Sequence, residues 1–201
     1  MAGRMWSVLW AFWRGWLFGV VLGLVLGAGL GTFFIPVVGT VYGVAIGVPL
    51  GAVTGLAAAV LIAPVALLRP SILGDRVWPG VVSAALALLV SGKVVFRGLD
   101  SGNLFDVGVV GGVAAVAGVL SACFGPAMIR RVRIRFLHAP SVGALGAAIG
   151  GLVAAGRVAV EGWPEPAVII GFTFGGIVTG GILGLTLVAF NLLVTKEPAA
   201  E

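Results

Sequence analysis

The chain has 201 residues, of which 60% are hydrophobic and only 9% charged, with a formal net charge of +5. A soluble domain carries roughly 25% charged residues, so the composition excludes an ordinary water-soluble globule and leaves a multi-pass membrane protein. The basic residues stand between apolar runs and not in one patch, which makes them topology signals and argues against nucleic acid as a partner.

At the N-terminus Arg4 precedes an apolar stretch longer than the 7–15 residues typical of a signal-peptide core, so the segment is expected to be retained. Trp6, Trp10, Trp13 and Leu17 recur at intervals of three and four and share one helical face, with Trp16 nearby. Indole rings are half apolar and half polar, and this cluster is expected at the level of the lipid head groups, where Arg14 also reaches.

No charge occurs between Arg14 and Arg69, an interval of 54 residues. As one helix it would measure about 80 Å, against a hydrocarbon core about 30 Å thick. It is therefore expected to cross twice, turning near 32–39, where TFFIPVVG carries Pro36.

Within these two spans glycine recurs at Gly15, Gly19, Gly23, Gly27 and Gly31, and again at Gly39, Gly43, Gly47, Gly51 and Gly55. Glycine weakens a helix in water by about 1 kcal/mol relative to alanine. In lipid the backbone must stay hydrogen-bonded, so helices persist, and small residues four apart open a groove that admits another backbone. An antiparallel hairpin turning at 35–36 pairs the two rows in order, from Gly31 with Gly39 to Gly15 with Gly55. The row is 16 residues long, or about 24 Å. The sequence predicts a hairpin packed like a glycine zipper, although the same grooves would serve to dock a neighbouring subunit. Pro49 is expected to bend the second helix.

Four later spans are expected at about 77–97, 104–129, 141–161 and 166–194, giving six in all. Nine cations then fall on one side, namely Arg4, Arg14, Arg69, Arg76, Arg130, Arg131, Arg133, Arg135 and Lys196. Three fall on the other, namely Lys93, Arg97 and Arg157. By the positive-inside rule both termini are cytoplasmic. Ten Arg against two Lys, with abundant Gly, Ala and Val, point to a GC-rich bacterial genome and hence to the plasma (inner) membrane of a bacterium. The run RRVRIR, with Arg130, Arg131, Arg133 and Arg135, reads as a cytoplasmic anchor, with attraction of anionic lipid as the alternative.

In the second half GKVVFRGL at 92–99 and GRVAVEGW at 156–163 echo each other at an offset of 64 residues, and Gly111-Gly112 then falls on Gly175-Gly176. This suggests two related hairpins, with the first hairpin outside the pattern. Lys93 and Arg157 become equivalent positions near the outer ends of their spans. They are candidates either for a vestibule attracting an anionic solute or for simple contact with outer head groups.

Catalytic groups are scarce. His138 is the single histidine, Cys123 the single cysteine, and no Ser/His, HExxH or phosphate-loop pattern occurs. No enzyme activity, cofactor or metal is expected. Mid-span polar residues are hydroxyls, namely Thr54, Ser83, Thr179 and Thr186, which commonly bond to their own backbone.

The resulting expectation is an all-α, polytopic bundle of about six transmembrane helices forming one domain, 1–201, with hairpins at about 1–69, 77–129 and 141–194. The expected function is a non-enzymatic membrane accessory or scaffold protein that associates through glycine-lined helix faces with itself or another membrane protein. The alternative is a small transporter or channel for a hydrophobic or anionic solute.

Overall fold

A computed structural model describes residues 2–35, 38–98, 104–134, 139–161 and 165–195. Its elements are α1 (Ala2–Phe34), α2 (Val38–Ile62), a 3-10 turn (Ala63–Leu67), a π-helical turn (Leu73–Val77), α3 (Trp78–Gly98), α4 (Leu104–Arg130), α5 (Ala139–Glu161) and α6 (Pro166–Val194). Among the described residues there is no strand.

Prolines punctuate the helices where a missing N–H costs least. Pro64 opens the 3-10 turn that ends α2, Pro79 and Pro140 sit in the first turns of α3 and α5, and Pro166 begins α6. Pro49 and Pro126 instead lie inside α2 and α4, which continue past them. α4 stops where Arg131 takes a left-handed conformation, φ 62°, and the Val132 N–H folds back to the Pro126 carbonyl.

Among the described residues, five segments are long and apolar enough to cross a membrane: Met5–Thr32, Val38–Leu67, Leu73–Lys93, Val107–Arg130 and Pro166–Val194. The expected span 141–161 coincides with α5, whose described apolar stretch, Ala139–Ala155, is shorter. Large apolar side chains stand outward along these helices. Val53 on α2 is 70% exposed, Leu89 on α3 61%, Leu152 on α5 73% and Leu193 on α6 80%. Such a surface suits lipid and not water.

The contacts sort into two compact units that cut across the first hairpin instead of following the three sequential hairpins. One comprises the described residues up to Leu22, Ala52–Arg133 and the described residues from Val194 on; the other comprises Gly23–Gly51 and Ile134–Leu193. In the first unit Ala58, Ile62, Val65, Val82 and Ile129 form a core cluster, flanked by Ala66 and Leu86. Phe18 of α1 lies against Phe124 of α4, ring centroids 5.3 Å apart.

Backbones meet closely where small residues face each other. In the second unit, a Cβ added at Gly27 would overlap the Gly43 carbonyl oxygen and lie 2.9 Å from the Gly47 Cα. Gly23 stands likewise against the Gly47 carbonyl, with the Gly51 Cα at 2.6 Å, and Gly31 stands against Gly39. Gly23 and Gly27 thus each nest between two glycines on the opposite helix, one offering a carbonyl and the next a Cα. Such approaches bring Cα–H groups to carbonyl oxygens and tighten dispersion contacts.

In the first unit the facing partners differ from the strict pairing expected of the sequence. Gly15 meets Ala59, not Gly55, with 3.4 Å between an added Cβ and the Ala59 Cβ; Gly55 meets the Gly19 Cα at 2.7 Å. The cause is this nesting: the row on α2 is extended one turn by alanine, which is small enough for the same role.

The other two hairpins use the same device. Gly80 and Ala84 of α3 face Gly118 and Ala122 of α4, while Gly146 and Gly150 of α5 face Gly180 and Gly176 of α6. The pairs Gly31/Gly39, Gly80/Gly118 and Gly146/Gly180 have midpoints at positions 35, 99 and 163, so successive hairpins are centred 64 residues apart. The first hairpin, expected to stand outside the 64-residue pattern, shares its spacing.

Candidate functional site

In the first unit the side chains of Arg14, Arg130 and Asp75 lie where α2 and α4 finish. The last carbonyls of a helix have no partner within it. Arg14, which directly follows the exposed Trp13 on α1, reaches across to α4 and supplies donors. Its Nε donates to the Met128 carbonyl at 2.6 Å and its Nη2 to the Ile129 carbonyl at 3.2 Å. Arg14 is 5% exposed, and its Nη1 has no hydrogen-bond partner among the described residues. A cation at a helix C-terminus also meets the negative end of the macrodipole.

Arg130, the last residue of α4, performs the same service for the end of α2. Its Nη1 donates to the Ala66 carbonyl at 3.0 Å; Nη2 donates to Val65 at 3.2 Å and Leu68 at 2.6 Å. Its Nε pairs with Asp75 Oδ1 at 3.1 Å. The planar fork suits Arg to this task, since one guanidinium satisfies several acceptors in fixed directions. One side chain therefore ties together α4, the 3-10 turn and the π-helical turn before α3.

In the second unit Thr32 is the centre of a hydroxyl cluster. Its hydroxyl donates toward the Ala28 carbonyl at 2.8 Å and toward the Thr179 hydroxyl at 3.3 Å, and it shares a hydrogen bond of 2.6 Å with the Thr40 hydroxyl. Three helices, α1, α2 and α6, meet at this one hydroxyl. Asn191 of α6, 1% exposed, pairs in both directions with the Ile134 backbone: Oδ1 accepts from the N–H at 3.3 Å and Nδ2 donates to the carbonyl at 3.2 Å. The Ser121 hydroxyl is fully buried and has no partner among the described residues.

The residues singled out from the sequence fall into separate places. The glycines of α1 and α2 face each other within the chain as described above. Lys93 is an exposed side chain on α3. Arg157 lies on α5, but its side chain is outside what the structure describes, as are residues Arg135 and His138 altogether. The four arginines of RRVRIR, grouped in the sequence as one anchor, do not act alike. Arg130 is spent on three backbone carbonyls after α2 and one carboxylate, Arg131 is exposed, and Arg133 is half-buried with an interaction of its own. Trp6, Trp10 and Trp13 are exposed on α1, whereas Trp16 turns inward and donates to the Ala52 carbonyl at 3.0 Å. Cys123 is exposed. Among the described residues, no three His, Cys, Asp or Glu side chains come together as a metal site.

Sequence reasoning missed the roles of Arg14, Asp75, Thr32, Thr40 and Asn191, and the glycine rows of α5 and α6. Asn191 was open to detection as an amide inside a long apolar helix, and Gly146/Gly150 with Gly176/Gly180 by their spacing of four. The partners across the fold were not.

These features define a class, a multi-pass helical membrane protein compatible with a membrane helix bundle. Comparison with protein-family models, with curated proteins and with solved structures finds no match.

Proposed function

We propose that the protein is a non-enzymatic accessory or scaffold subunit of a bacterial inner membrane, crossing it six times with both termini in the cytoplasm. The observation that carries this reading is the use of the buried polar groups. Arg14, Arg130 with Asp75, Thr32 and Asn191 are bonded to helix ends, to backbone or to one another, tying helices together. A transporter would more naturally direct such groups at a solute path.

The glycine zipper of α1 and α2 belongs to this reading as an internal fastening, and the three hairpins are copies of one 64-residue unit. Association with a second copy or another membrane protein is then assigned to the open glycine face of α4. A Cβ added at Gly108, Gly111 or Gly112 meets nothing within 4 Å, and exposed Val119 and Cys123 continue that side. Native mass spectrometry of mildly extracted protein tests the reading. A defined oligomer or stoichiometric partner, lost on Gly112→Leu, is expected; a clean monomer in wild type would overturn it and make solute flux the next assay.

A further inference from the structure

The connection between α2 and α3 carries a second feature, which the scaffold reading does not use. Arg130 sits at its hub, and two of the residues it grips, like Arg130 itself, are followed by an exposed arginine. Leu68, whose carbonyl accepts from Arg130, precedes Arg69; Asp75, its ion-pair partner, precedes Arg76; and Arg130 itself precedes Arg131. Three exposed arginines thus each stand one position after a residue of this bonded hub. The carboxylate in the connection, Asp75, is already engaged by Arg130, so it does not neutralise them.

The same connection exposes an apolar surface that a loop in water would not offer. Leu67, Leu68, Ile72 and Leu73 are all more than half exposed, and Trp78 stands at the start of α3 with its indole N–H on the Leu61 carbonyl at 3.1 Å. Apolar side chains interleaved with arginines, beside an indole, match the boundary between acyl chains and phosphates. Alternation of this kind fits neither a soluble partner nor bulk water.

We infer that Arg69, Arg76 and Arg131, positioned by Arg130, form a binding site for the phosphate groups of anionic phospholipid, with Leu68, Ile72 and Leu73 set among the acyl chains. The site rests on the membrane reading alone and is independent of whether the protein self-associates. Arginine is suited to it because its fork donates to two phosphate oxygens at once.

The test is native mass spectrometry in mild detergent, titrating the full chain with phosphatidylglycerol or phosphatidylcholine and counting retained lipids. Each arginine near an anionic surface contributes about fivefold in affinity. Wild type is expected to prefer phosphatidylglycerol, and the triple variant Arg69→Gln/Arg76→Gln/Arg131→Gln to lose roughly a hundredfold, while Lys93→Gln changes nothing. Equal retention of the two lipids by wild type, or an unchanged preference in the triple variant, would overturn the proposal. So would competition by inorganic phosphate at the same concentration, which would indicate a soluble anion as ligand. Should the triple variant fold poorly, wild type alone decides: raising salt tenfold must weaken phosphatidylglycerol binding, and a salt-independent preference sinks the idea.

Discussion

Arg14 of α1 holds the end of α4 by donating to the Met128 carbonyl, a bond of 2.6 Å between residues 114 positions apart. An arginine inside an apolar span looks, from sequence, like a side chain extending toward the interface. Here it is 5% exposed and turned inward. The reason is local: the last turn of α4 presents carbonyls without partners, and a guanidinium is the side chain best able to serve two of them at once.

Arg14→Leu should therefore destabilise the first unit, leaving the Met128 and Ile129 carbonyls buried without a donor. Hydrogen bonds to charged groups contribute about 1.5–3 kcal/mol each, and the cost of burying the cation offsets part of the sum for the two bonds, so a net loss of about 2–3 kcal/mol is expected. Arg14→Lys keeps the charge but offers no planar fork, and should recover only part of it. Thermal unfolding in detergent measures both. If Arg14→Leu unfolds at the wild-type temperature, the contact is incidental.

The glycines make a prediction with an internal control. Gly23→Leu and Gly47→Leu must push a side chain into the opposite backbone, where even a Cβ finds no room. Overpacking of this kind costs about 1–3 kcal/mol where the structure can yield and more where it cannot. Gly29, on the same helix as Gly23, has nothing within 4 Å of an added Cβ. Gly29→Ala should be neutral or mildly stabilising, since alanine is the better helix former. Equal behaviour of the three variants would show that helix propensity, not close approach, governs these positions.

The boundaries of the helices were legible because charges, prolines and apolar runs mark them directly. The expected span 166–194 and α6, Pro166–Val194, have the same limits. The facing of Gly31 on Gly39 was also legible, because a hairpin turn fixes the register of nearby residues. Further from the turn the strict pairing failed, and Gly15 came to face Ala59. Sequence spacing records which residues are small, but whether two rows stand opposite or nest depends on the depth of approach, a property of both backbones. Arg130 was harder still. Its partners lie 55 to 65 residues away in chain segments with no periodic signal.

Cysteine pairs separate the two registers. In a Cys123→Ala background, Gly15→Cys with Ala59→Cys places Cβ atoms at 3.4 Å, close to the roughly 3.5–4.5 Å of a disulfide. Gly15→Cys with Gly55→Cys tests the strict pairing. Mild oxidation of isolated membranes should cross-link the first pair faster and more completely, read as a mobility shift on a denaturing gel. Preferential cross-linking of the second pair would restore the register expected from the sequence.

Asn191 offers the last prediction, and one that distinguishes hydrogen bonding from packing. Its amide completes both the donor and the acceptor of the Ile134 backbone, as a neighbouring strand would. Because the pair is buried, removing the amide leaves two backbone groups unsatisfied, at about 1–3 kcal/mol each. Asn191→Leu keeps similar volume but loses both bonds; Asn191→Asp keeps an acceptor for the Ile134 N–H and loses the donor to its carbonyl. The segment after α4 should then loosen from α6 in the order leucine, aspartate, wild type. Trypsin reads this directly, because Arg131 and Arg133 lie just before Ile134, and cutting there should accelerate in the same order. Were Asn191→Leu cut no faster than wild type, the two bonds would not be what holds this segment in place.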